Sequence, residues 1–72
     1  MASTDLPQRR ADLEALRIDR GHTLTTLAAA AGISLPYMSL IESGHRNPRP
    51  PVVKRIADAL GVRPADLHIH AA

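Results

Sequence analysis

Eight arginines and one lysine stand against seven acids in this sequence, for a formal net charge of +2. A guanidinium is planar, permanently charged and bonds phosphate or base edges through two N–H groups at once. Genomic base composition produces the same arginine excess, so position has to decide between the two. No acid lies between Glu42 and Asp58, whereas Arg46, Arg49, Lys54 and Arg55 do, with His45 beside them. Other chemistry finds less support. His68 and His70 flank Ile69, and alternate residues on a helix point apart. With no cysteine either, no metal site and no other cofactor is expected. Serine, histidine and aspartate occur, but none in a nucleophile motif. A chain of 72 residues is also too short to enclose a ligand pocket of ~300 Å³. Neither an enzyme nor a small-molecule ligand is expected.

The elements that position these residues are helical. At ~100–200 residues per domain the chain is one small domain. With no Phe or Trp and a single Tyr, its core must come from Leu, Ile, Val and 12 alanines, which favours close-packed helices over a sheet. Asp5 and Gln8 fit a capping box, Leu13, Leu16 and Arg20 follow at helical spacing, and Gly21 supplies a stop. Thr23 starts a second helix with Leu24, Leu27, Ala28 and Ala31 on one face, and Gly32 ends it. Ser34 caps a third, with Pro36 in its first turn and Gly44 at its end. Pro50 and Pro51 open a fourth, whose stripe is Val53, Ile56, Ala57 and Leu60, before Gly61. Pro64 begins a short fifth holding Leu67. No run alternates with period two, so the class is all-α: a compact domain of five helices over 7–69, with tails at 1–6 and 70–72. Residues 23–41 carry no charge, which raises the membrane question. Thr23, Gly32, Ser34 and Pro36 interrupt that stretch, so two helices around a turn are expected there, and no membrane span. Without cysteine or a signal peptide, the expected location is cytoplasmic.

The informative unit is Leu24 to Ser43, a helix, a tight turn and a second helix. Ala28 is small where the helices cross, Gly32 tolerates the left-handed turn, and Ile33, Met38 and Ile41 fill the angle between them. The sequence resembles the phage repressor and Cro-like (XRE-type) helix-turn-helix proteins from about Leu13 to Leu67. The matching pieces are Leu13-Glu-Ala-Leu-Arg17, Arg20-Gly21, Thr23, Leu27-Ala28, Ala31-Gly32-Ile33-Ser34, Ser39, Ile41-Glu42, Gly44, Arg46-Asn47-Pro48 and Ile56-Ala57-Asp58-Ala59-Leu60-Gly61-Val62. The resemblance implies a lambda-repressor-like DNA-binding domain, with its third helix (about 34–43) in the major groove and a role in transcription regulation. It also implies a structural ion pair between Glu42 and Arg17. A carboxylate can accept from cytosine N4, but an anion at the groove opposes phosphate, which favours the pair.

At ~100° per residue from Leu35, Tyr37, Ile41 and Met38 fall near 200°, 240° and 300°, the buried side. Leu35, Pro36, Ser39, Leu40 and Ser43 lie between roughly 0° and 140° by the same count, and face outward as candidate base contacts. Arg46, Asn47 and Arg49 flank the groove as candidate phosphate contacts, more so than Lys54 and Arg55. Thr23 and Ser34 are helix caps first and candidate phosphate contacts second. Tyr37 has two equal readings, core packing and a hydroxyl on phosphate.

Two features depart from the family pattern. Leu24 stands where many relatives carry a glutamine that reaches phosphate. The outward face of the third helix also lacks the Gln, Asn, Arg or Lys that reads adenine or guanine with two bonds. Thymine methyls, serine hydroxyls and DNA shape remain as means of discrimination. The expectation is a repressor-type regulator that binds a palindromic operator in double-stranded DNA as a homodimer, with Leu67 and Ile69 at the interface. The alternative is an interaction module, antitoxin-like or adaptor, that docks the apolar third-helix face on a protein.

Overall fold

The computed structural model describes residues 10–67 and residue 69. Four α-helices and a closing 3-10 turn follow one another, with no strand among the described residues: α1 (Ala11–Asp19), α2 (Leu24–Ala31), α3 (Leu35–Glu42), α4 (Pro50–Leu60) and the turn Pro64–Leu67. The fold is all-α, as the composition requires. The expected fifth helix is a single 3-10 turn. Arg10, with non-helical φ −90° and ψ 73°, is the residue before α1 and makes no side-chain cap. The Asp5–Gln8 box, both tails and the His68/His70 pair lie outside the described residues.

Local signals set the breaks. Thr23 accepts from the Thr26 amide, while the Thr26 hydroxyl takes the Thr23 amide, a reciprocal box at the start of α2. Ser34 caps α3 through the Tyr37 amide at 3.2 Å. Gly32 ends α2 at φ +71°, a left-handed conformation that an L side chain resists. Across that turn the chain swings by 110° between α2 and α3, within the range of a helix-turn-helix. The uncharged stretch is therefore two short helices, and no single helix among the described residues is long and apolar enough to cross a membrane.

The core is small and aliphatic. Leu13, Leu27, Met38, Ile41 and Ile56 are fully buried, and Ala28, Ala31 and Ala57 let the helix backbones approach closely. α2 packs chiefly on α4 and α3, and the closing turn packs on α4. Leu67 and Ile69 are only 2% and 7% exposed within the chain's own core. That corrects their expected place at a dimer interface: a domain with almost no aromatic volume spends its last apolar residues on itself.

α1 holds α3 through charge. Arg17 Nε donates to Glu42 Oε2 at 2.8 Å and Nη2 to Oε1 at 3.0 Å, a two-pronged pair. The remaining Nη1 donates to the His22 carbonyl at 2.9 Å. Both residues are buried, Arg17 at 9% and Glu42 at 4% exposure. Burial of two ions costs free energy, and only complete hydrogen bonding offsets it. No buried side-chain N or O among the described residues lacks a partner. The hydrogen bond that Arg17 donates to Glu42 raises the Arg17 pKa, outweighing the opposing effect of burial. A cation whose folded pKa is raised contributes its stability below its unfolded pKa and loses it only above. That window is far alkaline, so Arg17's contribution is constant around neutral pH.

Two outcomes follow for stability. Glu42→Ala removes both carboxylate hydrogen bonds from the buried Arg17 guanidinium and leaves it the looser Glu14 contact at 3.9 Å, which costs about 3 kcal/mol, the low end for a buried pair in so thin a domain. Urea unfolding should show that loss in its midpoint; a change below about 1 kcal/mol would reduce the pair to a surface bridge. In Gly32→Ala the new Cβ would stand 3.5 Å from the flexible Arg55 Nη1, so space is not limiting. The cost is backbone strain of about 1–2 kcal/mol, read as a lower midpoint with an unchanged denaturant slope.

Candidate nucleic-acid interface

α3 is eight residues long and meets the core through Met38, Ile41 and Glu42. Its opposite face is open. Leu35, Pro36, Ser39 and Leu40 are exposed, as the helical wheel places them. Ser43 differs from its four companions. It is half-buried and ends the helix, its hydroxyl donates to the Leu40 carbonyl at 3.1 Å, and His45 Nδ1 lies 2.8 Å away. The Ser43 hydroxyl is thus engaged by its own turn, through the Leu40 carbonyl and the His45 ring. A shallow hollow of about 180 Å³ opens between Leu24, Ser39, Glu42 and Ser43. Leu24 thus supplies apolar wall beside the helix face instead of a polar reach toward a backbone.

The candidate phosphate groups divide by what they already do. Thr23 and Ser34 are exposed at the N-terminal ends of α2 and α3, where amides and the helix dipole favour an anion, while their side chains serve as caps. Tyr37 is half-buried and packs its ring on the core. Arg46, Asn47 and Arg49 are exposed in the connection from α3 to α4. Arg46 Nη1 donates to the His45 carbonyl at 3.1 Å, and Arg49 is the residue before α4. Lys54 stands apart from them: its ammonium meets Asp58 at 3.0 Å one helical turn on. Arg55 is exposed. The fully buried Pro48 anchors the connection between these cations.

Sequence reasoning missed Arg10. Its backbone amide donates to the Glu42 carbonyl at 3.0 Å and its Nε to the Ile41 carbonyl at 2.8 Å. Its Nη2 donates to the Arg46 carbonyl at 3.1 Å and also meets Asn47 Oδ1. One residue thus fills carbonyls at the end of α3, which a helix cannot satisfy itself, and grips the loop beyond. A signal for it exists in the sequence. Arg10 and Arg17 are seven residues apart, two helical turns, so a residue that faces α3 at 17 has its counterpart at 10. Arg20 works similarly elsewhere, where its Nη1 donates to the Leu60 carbonyl at the end of α4 at 3.2 Å.

Comparison with known proteins places this geometry. The family model described as "Helix-turn-helix" matches residues 13–67. The HTH-type transcriptional regulator DdrOP3 of Deinococcus deserti is 40% identical over 55 residues, covering 76% of this chain and 43% of that protein. The chain therefore spans less than half the length of that relative. Among solved structures, the restriction-modification controller protein C.AhdI of Aeromonas hydrophila superposes with a TM-score of 0.79 at 31% identity, over 90% of this chain and 98% of that one. The clp gene regulator ClgR of Corynebacterium glutamicum gives 0.74 at 35% identity, over 79% of this chain and 61% of its own. A matched region that takes in α2, its left-handed turn, α3 and the Arg17–Glu42 pair makes the chain a member of the helix-turn-helix family.

Proposed function

We propose that this chain is a DNA-binding transcriptional regulator of the repressor type, which lays the outward face of α3 in the major groove. One observation carries the reading. A short helix, fixed by a buried ion pair, presents an open face beside a connection that exposes two cations, Arg46 and Arg49, with no acid before Asp58. Relatives named as an HTH-type transcriptional regulator and as a gene regulator support the same assignment.

Phosphate contacts come from Arg46, Asn47 and Arg49 on one flank and from the capped ends at Thr23 and Ser34 on the other. They set register and supply most of the affinity. Base discrimination falls to Ser39, whose hydroxyl both donates and accepts, and to Leu35, Pro36 and Leu40 against thymine methyls. So few polar readers give one domain little specificity. We therefore propose a homodimer on a palindromic operator, with half-sites roughly 34–36 Å apart on one face of the duplex. A second reading rests on Leu35 and Leu40, 43% and 36% exposed. Two large apolar side chains on one short helix face also suit a protein partner.

Selection of bound duplexes from a random library at near-physiological salt separates these readings. An enriched palindrome with half-sites one helical turn apart is the expected result. No enrichment, with only weak salt-sensitive binding, would transfer the face to a protein partner. Within the DNA reading, Arg46→Ala should flatten the dependence of log K on log salt by about 0.9 and weaken all sequences alike. An unchanged slope removes Arg46 from the phosphate contacts. Ser39→Ala should shift sequence preference more than general affinity; equal losses on every duplex would remove it from the readers.

A further inference from the structure

Arg10 touches both the end of α3 and the Arg46–Asn47 segment beyond it, yet it stands outside the groove-facing set. Its backbone amide and Nε close the Glu42 and Ile41 carbonyls. Its Nη2 bridges the Arg46 carbonyl and Asn47 Oδ1. A guanidinium has donors only, whereas a carboxamide has one acceptor end and one donor end. Arg10 therefore dictates which way the exposed Asn47 amide lies: the oxygen turns inward to the cation and the NH2 turns away from it. Only the NH2 end can donate to a phosphate oxygen. The same guanidinium holds the carbonyl of the Arg46–Asn47 peptide, next to the buried Pro48.

We propose that Arg10 is a positioning residue for the nucleic-acid face, which orients Asn47 as a phosphate donor and fixes the loop that carries Arg46. The proposal rests on the DNA-binding reading above. It assigns Arg10 no phosphate of its own; its Nε and Nη2 donors are spent inside the protein. The physical gain is preorganisation. A loop already held in its bound conformation does not lose that freedom when DNA binds.

A double-mutant cycle in DNA affinity tests this on the best duplex from the selection, well below the melting temperature of every variant. The set is wild type, Arg10→Ala, Asn47→Ala and the double variant. Each single change should raise Kd by about tenfold, the loss of one hydrogen bond to a charged group. The double variant should also bind about tenfold more weakly, not about a hundredfold, because Asn47 without Arg10 has already lost its orientation. The salt slope of Arg10→Ala should change by well under 0.9, since no ionic phosphate contact is lost. Arg10→Lys restores a charge at the end of α3 but not the fork, so melting temperature should recover more than affinity. If Arg10→Ala does not fold, Arg10→Lys takes its place in the cycle. An unchanged Kd for the Arg10 variant, a hundredfold loss in the double, or a slope reduced by about 0.9 would each overturn the proposal. In those cases Arg10 is purely structural, independent of Asn47, or a direct phosphate contact. Wild-type protein that binds no duplex would overturn the DNA reading and this proposal together, an outcome distinct from wild-type binding with additive variants.

Discussion

The Arg17–Glu42 pair solves a problem that the size of α3 creates. An eight-residue helix has too few internal hydrogen bonds to persist alone; isolated helices shorter than ~12–15 residues are marginal in water. α3 exists because its neighbours hold it, and its apolar grip consists of little more than Met38 and Ile41. Glu42 adds a third hold, but at an unfavourable place. A carboxylate at a helix C-terminus has the wrong sign for the helix dipole. Arg17 from α1 neutralises it through two hydrogen bonds, and Arg10 brings a second cation to the same end through the Ile41 carbonyl. The open face of α3 can be free of structural duties because its other side and its end are held this completely.

That arrangement divides the arginines into two sets with different physics. Arg10, Arg17 and Arg20 differ in burial, but all three close backbone carbonyls: Ile41 and Arg46, His22, and Leu60. Their value lies in donor geometry, since a fork of N–H groups reaches several acceptors that a point-charge ammonium reaches singly. Arg46, Arg49 and Arg55 are exposed, where field and reach toward an anion count instead. Other surface cations are partly balanced: Lys54 meets Asp58 and Arg63 meets Asp66. The net charge is therefore a poor description of the molecule. What matters is that the cations around the end of α3 face outward while those of α1 serve as fasteners.

Much of the architecture is legible from residue types because the decisive signals are local. Thr23, Ser34, Gly32, Gly61 and the Pro50–Pro51 pair each specify a helix end through chemistry confined to a few residues. The outward face of α3 is legible too, since 100° per residue separates Leu35, Pro36, Ser39 and Leu40 from Met38 and Ile41 without tertiary knowledge. What escapes such reading is long-range. Arg10 meets Ile41, Arg46 and Asn47, 31 to 37 residues away, and its seven-residue spacing from Arg17 does not say which carbonyls it reaches. Ser43 falls on the outward arc by angle, yet the helix ends at that residue, and its hydroxyl serves the turn.

The placement of Leu67 and Ile69 shows how size alters the meaning of a residue. In a larger domain, apolar side chains in a short terminal segment are surplus to the core and free for an interface. Here the fully buried large side chains are four Leu, Ile or Met positions from α1 to α3, then Ile56, Leu67 and Pro48. With no phenylalanine or tryptophan to fill space, Leu67 and Ile69 are needed as walls. A chain of this length buries only roughly 60% of its unfolded surface, so it has no apolar area to lend from its interior. Any second copy must therefore be met by side chains the fold leaves outside.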